Sequence, residues 1–139
     1  SEITSLALEA VFDDPYDFGV EFVEKRGKTE CEIFFLRDGE RIDPLTASGG
    51  GAVDVASFAL RVSLWALRHP RTRPLLILDE PFRFLSDDLQ PRASEMLKEM
   101  SERLGIQIIM VTHSEDLTEA ADAVFVVSQR KGISKVREQ

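Results

Sequence analysis

The chain carries a single cysteine, Cys31, which excludes a disulfide framework within it. One isolated thiol suits a reducing compartment and a structural role. Long apolar runs are also scarce. The richest, residues 52–67, is broken by Asp54, Ser57, Arg61 and Ser63. It falls short of the ~18 residues that a membrane span requires, so no spanning segment is expected. There is no basic-then-apolar leader. The sequence opens on Ser1 rather than methionine, so a piece of something longer is the expectation. Positive charge is the minority: 17 Lys and Arg stand against 25 Asp and Glu, a net charge of −8. Such a chain is a poor non-specific DNA binder as a whole, because attraction to phosphates scales with cationic contacts. Two short basic clusters stand out, Arg68, His69, Arg71 and Arg73, and Arg130, Lys131, Lys135 and Arg137. Either could touch phosphates; solvated surface charge is the expectation for both.

What is present is enough for one packed domain. The chain has 139 residues, 43% hydrophobic and 30% charged, a balance that excludes wholesale disorder. Ile3, Leu6, Ala7, Ala10 and Val11 recur at helical spacing, and Pro15 ends that pattern. Residues 18–42 read as two or three antiparallel strands, punctuated by turns at Arg26-Gly27-Lys28 and Asp38-Gly39. A helix apolar on most faces is predicted over 53–67. The run Leu75–Leu78 suits a central parallel strand covered on both faces. An amphipathic helix is predicted over 88–104, capped by Asp87 or Asp88, with Pro91 in its first turn and Gly105 at its end. A strand over 106–111, a short helix near 115–121, a strand over 123–127 and a terminal strand beyond Gly132 complete the pattern. Strand–helix–strand–helix–strand over 75–127 argues for βαβ units and a parallel sheet. Trp65 and the phenylalanines are expected to fill the core.

Three loops carry chemistry. Asp79 and Glu80 end an apolar strand, where open parallel sheets place their ligands. Asp79 is placed to hold Mg²⁺, usually through water, and Glu80 to polarise an attacking water. The same residues also fit a buried strand that stops at a solvated turn. Ala47-Ser48-Gly49-Gly50-Gly51 opens the next helix and suits a cradle of N–H groups around an anion; taken alone, it equally suits a flexible linker. His113 follows a strand end and would lie within reach of a terminal phosphate, or would serve as a structural histidine near a helix cap.

The order and spacing of the three are more specific than any one. Ser48-Gly49-Gly50, Leu75–Glu80 and His113 resemble the signature motif, Walker B and switch histidine of an ABC-type ATPase head. Leu85, Ser86 and Asp87 sit where such heads have their D-loop. The likeness is strongest to the coiled-coil DNA-repair and chromosome-maintenance ATPases, the SMC and SbcC types and their phage relatives. It rests further on Ser57–Arg61, Asp79-Glu80-Pro81-Phe82 and Gln107–His113, and runs from about Tyr16 to Val136. No G-x-x-x-x-G-K-[ST] loop occurs; Gly27-Lys28-Thr29 imitates its last residues, but Phe22 stands where the first glycine belongs.

The resemblance implies an α/β, P-loop NTPase-like fold, specifically the C-terminal half of a head. It implies a mostly parallel sheet flanked by helices with a small antiparallel section. Residues 1–12 would be a coiled-coil stub, 16–43 the antiparallel section, and 47–139 the signature, Walker B, D-loop and switch-histidine region. It implies ATP and Mg²⁺, with Asp79 on the metal, Glu80 and His113 catalytic, and Ser48, Gly49 and Gly50 touching the nucleotide of an opposite head. Implied partners are an N-terminal lobe with Walker A, a second head as homodimer, a nuclease subunit, and DNA through the complete complex, with no membrane. The implied location is cytoplasmic, nucleoid-associated in a bacterium or phage. Alone, the chain is expected to be inactive. The alternative is a non-catalytic module that docks a partner head or nuclease. Two departures stand out: Gly51 replaces a usual Glu or Gln, and Ser86 a usual D-loop acid.

Overall fold

The structure, a computed structural model, describes residues 2–45, 49–70 and 72–139. Ser1, Ala47, Ser48 and Arg71, all singled out above, therefore lie outside the described residues.

Helix α1 (Glu2–Val11) opens the chain and turns Thr4, Ala7, Leu8 and Val11 inward. The stripe read from the sequence is rotated slightly from this face: Leu6 is half exposed and Ala10 exposed. Strands β1 (Asp17–Lys25), β2 (Lys28–Arg37) and β3 (Glu40–Ile42) form the expected antiparallel meander. Its turns are two-residue loops in which Arg26-Gly27 and Asp38-Gly39 all have positive φ, the backbone that matches strand twist. Gly27-Lys28-Thr29 is thus a hairpin turn running into β2. Phe18 and Phe35 are the buried anchors of this sheet, with Tyr16 stacked on Phe35 at 5.2 Å between ring centroids.

Helix α2 (Gly50–Leu67) packs along α1 and buries Ala52, Val55, Ala56, Phe58, Ala59 and Val62. It runs 18 residues with a mean hydropathy of 1.3. By length and composition alone it is long and apolar enough to cross a membrane, contrary to the sequence reading. Its inner face is part of the hydrophobic core beside Ala7, Leu8 and Val11. Strand β4 (Leu75–Asp79) then leads through a 3-10 turn (Asp87–Leu89) and helix α3 (Gln90–Leu104) to β5 (Gln107–Val111). β4 and β5 pair in parallel, with Asp79 opposite Val111 at the carboxyl rim. Gly105 ends α3 at φ 62, ψ 38, as expected. Asp87 and Asp88 do not cap α3; they open the 3-10 turn, and Leu89 takes the cap position without a side-chain bond.

The expected mostly parallel sheet is not found. Among the described residues, parallel pairing is confined to β4 and β5. β6 (Phe125–Arg130) pairs antiparallel with β7 (Ile133–Glu138) through a turn at Lys131-Gly132, again with φ positive at both. That local hairpin satisfies the edge of β6, and the predicted helix before it shrinks to one 3-10 turn (Asp116–Thr118). Nor is β4 covered on both faces. Leu76, Leu78, Ile108 and Met110 face the core, while Ile77, Ile109 and Val111 are 67%, 47% and 56% exposed. Phe22, Phe84 and Phe125 are exposed as well, so these phenylalanines do not fill core, and Cys31 is exposed on β2. Trp65 packs, partly buried, against the core.

Candidate functional site

The site forms where β4 ends. Asp79 is the last residue of the strand and is exposed, while its neighbour Leu78 is 3% exposed. The alternation of the pleat does this: consecutive side chains leave on opposite faces. The Glu80 N–H donates to the Val111 carbonyl at 2.8 Å, which extends the ladder one residue past the strand. Glu80 has φ 45 and Phe82 φ 60. Three other non-glycine residues share that left-handed region, all in hairpin turns beside a glycine. At Glu80 and Phe82 no hairpin demands it, and each residue costs about 1–2 kcal/mol there. Strain of this kind persists when the surroundings over-determine it. Phe82 supplies that restraint. It is 2% exposed and meets Phe58 of α2 edge-on at 5.8 Å.

The turn directs the Glu80 carboxylate across the rim to the loop after β5. The Nδ1 of His113 lies 2.8 Å from Glu80 Oε2. A carboxylate only accepts, so Nδ1 carries the proton of this bond, and Nε2 remains open. The histidine is largely exposed, whereas the Glu80 side chain is 38% exposed. Glu80 and His113, 33 positions apart in sequence, are thus in direct contact. Asp79 stands beside them at the end of the strand.

Below the rim a cleft of ≈ 140 Å³ separates the 79–82 turn from α2. Asp54, Ser57, Phe58 and Arg61 line its helical side. Three carboxylates, of Asp54, Asp79 and Glu80, meet a single guanidinium there, so the cleft is acidic. Lys25 and Lys98, whose ammonium groups are held above the ordinary lysine value by hydrogen bonds to Glu32 and Asp122, line none of it.

The glycines at the start of α2 have a packing duty that sequence reasoning did not see. A Cβ on Gly50 would stand 2.5 Å from Phe84 Cβ, and one on Gly51 3.2 Å from Leu85 Cα. A side chain at position 50 would force the Phe84 side chain to move, and one at 51 would press Leu85 back by a few tenths of an ångström. Gly51, where the resemblance leads one to expect Glu or Gln, therefore faces backbone with little room for a side chain. Gly49 precedes the helix at φ 73, exposed and without a side-chain cap to occupy the first N–H groups. Leu85 is buried and Asp87 begins the 3-10 turn; with Ser86 between them, the segment lies against the glycine end of α2.

Asp54 was noted only as an interruption of an apolar run, yet its Oδ2 accepts the Phe84 N–H at 2.9 Å. Replacing Asp54 by alanine unpairs that donor. Because the segment is partly solvated, the expected loss is about 1 kcal/mol, near the net worth of one hydrogen bond. Asp54→Asn, which keeps an acceptor, should lose less. Denaturant midpoints measure both, and equal stability of wild type and Asp54→Ala would remove the bond from the account.

The chain is similar to known proteins over most of its length. Residues 55–119 match the family described as "AAA domain, putative AbiEii toxin, Type IV TA system". A "DNA double-strand break repair Rad50 ATPase" of Archaeoglobus fulgidus is 33% identical over 114 residues, 81% of this chain. One of Pyrococcus abyssi is 31% identical over 136 residues, 98% of this chain. The chain spans only 12% and 15% of the length of these two relatives. A solved SMC ATPase, from work on ATP-driven dimerization and DNA-stimulated activation of SMC ATPases, superposes with a TM-score of 0.76 at 22% identity, over 100% of this chain and 82% of that one. The fold is therefore that of part of an SMC head, 46% of the solved head domain from Thermotoga maritima being covered at a TM-score of 0.66. The chain is related to the ABC-type ATPase head domains and corresponds to part of such a head. Within that class it is related to Rad50 and SMC, with Rad50 homologues matching most of its length.

Proposed function

We propose that this chain is the C-terminal half of a head that binds and hydrolyses ATP and engages a second head when ATP is bound, in DNA double-strand-break repair, recombination or chromosome maintenance. The observation that carries this reading is the Glu80–His113 pair at the carboxyl rim of β4 and β5, beside Asp79.

The roles follow from chemistry. Glu80 keeps one carboxylate oxygen on His113 and has the other for a water, which it would polarise for attack on the terminal phosphate. A histidine bridging a carboxylate and a phosphate must donate from both nitrogens, so His113 in that role is the imidazolium. Ser48, Gly49 and Gly50 would meet the nucleotide of the opposite head, through the uncapped start of α2. Leu85, Ser86 and Asp87 would form the D-loop at the same interface. Among the described residues no three acids, histidines or cysteines converge as a metal cage. Mg²⁺ keeps several waters and takes one or two carboxylates plus substrate phosphates, a demand that Asp79 at the end of β4 can meet. Asp79 would hold it through water, and when bound it would offset phosphate charge.

Two features support a half-head rather than a whole one. The cleft is acidic and would repel a triphosphate unless cations came from elsewhere. The face of β4 and β5 bearing Ile77, Ile109 and Val111 is apolar and exposed, as a sheet would be whose neighbour belongs to another segment. An N-terminal lobe with the phosphate loop would cover it. Residues 1–12 would continue into a coiled coil, and a nuclease subunit and DNA would meet the complete assembly. Mixing this chain with the phosphate-loop lobe of the same head is the test. Turnover that appears only in the mixture supports the proposal; assembly without turnover points to a docking module; no association overturns both.

A further inference from the structure

We propose that Gln90 is a positioning residue that ties the 84–87 segment to the 112–114 loop and so sets His113 against Glu80. The inference rests on the ATPase reading for its consequence, but not for its geometry.

Gln90 is the first residue of α3 and is only 8% exposed, which is unusual for an amide without a duty. Both ends of that amide are used. Its Nε2 donates to the Leu85 carbonyl and to Asp87 Oδ1, each at 3.3 Å. Its Oε1 accepts from the Ser114 hydroxyl. The reversed amide would set an oxygen against a carbonyl and a carboxylate, so one orientation is selected. Ser114 in turn receives the Leu117 N–H at 3.5 Å, and its own N–H donates to Thr112 Oγ1 at 3.1 Å. His113 therefore sits between Ser114, which Gln90 anchors, and Thr112, which is tied to Ser114, with its own Nδ1 on Glu80.

The other end of the link is fixed to α2. Asp54 accepts from the Phe84 N–H, and Gly50 and Gly51 leave no slack against Phe84 and Leu85. Direct contacts thus run from the glycine end of α2 through 84–85, Gln90 and Ser114 to His113 and Glu80. A second head that presses on the glycine loop or on 84–87 would move the histidine through Gln90. In such a network, a change at a residue touching neither ligand alters coupling modestly but measurably.

Methionine fills the volume of glutamine and supplies neither bond, so Gln90→Met separates packing from positioning. The first test uses the chain as it stands. It has two histidines, His69 and His113, whose ring protons are resolvable by NMR. Gln90→Met and Ser114→Ala should each shift or broaden the His113 resonances and leave those of His69 in place. Unchanged His113 resonances in a folded Gln90→Met overturn the proposal, whatever the fate of the ATPase reading. In the complete head, Gln90→Met should lower kcat by about 3- to 30-fold, with KM for ATP little changed. The double variant with Ser114→Ala should be no slower than the worse single one, because both cut the same link. Losses that multiply, or a wild-type kcat in a head that Glu80→Gln inactivates, overturn it. If instead Glu80→Gln retains turnover, the catalytic reading fails and the NMR result decides the positioning alone.

Discussion

Glu80→Gln is expected to slow ATP turnover of the complete head by roughly 10²–10⁴-fold, the range of a lost general base. The substitution isolates one property. Gln is nearly isosteric with Glu, and its amide oxygen still accepts from His113 Nδ1, so the bond now 2.8 Å long has a substitute. The left-handed turn at 80–82 is untouched, since Phe82 and not the Glu80 side chain supplies its burial. What disappears is the negative charge that, in the proposed role, would draw a proton from water. Nucleotide binding and ATP-driven engagement of two heads should therefore survive, and engagement should persist longer because the phosphate that bridges the heads is not removed. Steady-state turnover and sizing with ATP measure the two halves of the claim. Near-normal turnover would take Glu80 out of its role. Loss of ATP binding would mean that the carboxylate, or the turn it sits on, holds the substrate instead.

Much of this was legible in the sequence because it is local. The hairpins announce themselves by Gly27, Gly39 and Gly132, each behind a residue that shares its positive φ. β4, α3, Gly105 and β5 follow from a run of apolar residues, a helical stripe and a stop signal. The features that failed are those that depend on what lies opposite. The inward face of α1 is set by α2, not by α1's own periodicity, so Leu6 was misplaced. β4 reads as a two-sided strand because its run is apolar without interruption, yet Ile77 on its other face is 67% exposed. β6 joins a hairpin because its nearest partner in sequence is also its cheapest to close.

The site divides the same way. Asp79, Glu80 and His113 stand at strand ends, where chain order alone predicts convergence. Asp54, Gln90 and Ser114 are single polar residues, each with a partner 24 or 30 positions away. Nothing in composition marks them, although one acid inside an apolar helix was a usable signal. Glycine was read for its phosphate chemistry, and the structure adds close packing at Gly50 and Gly51. The two duties are compatible, because the same missing side chain that would admit a phosphate makes room for Phe84 and Leu85.

Phe82→Ala should cost about 3–5 kcal/mol of folding stability, the usual range for a buried aromatic ring. Few residues in the chain join so many features. Its ring is 2% exposed, lies edge-on to Phe58 across the helix–strand boundary, and borders the cleft below Glu80. A second substitution separates the ring from the backbone beneath it. At an ordinary position glycine is about 0.5–1 kcal/mol less favourable than alanine, because it frees the unfolded chain. At φ 60 alanine pays the left-handed penalty of about 1–2 kcal/mol, and glycine does not. Phe82→Gly should therefore be no less stable than Phe82→Ala, reversing the usual order. Urea midpoints with shared slopes read both differences. A Phe82→Gly protein clearly weaker than Phe82→Ala would show that the turn relaxes to negative φ once the ring is gone. Glu80 would then owe its place to the aromatic anchor alone, and in the complete head both variants should lose turnover together.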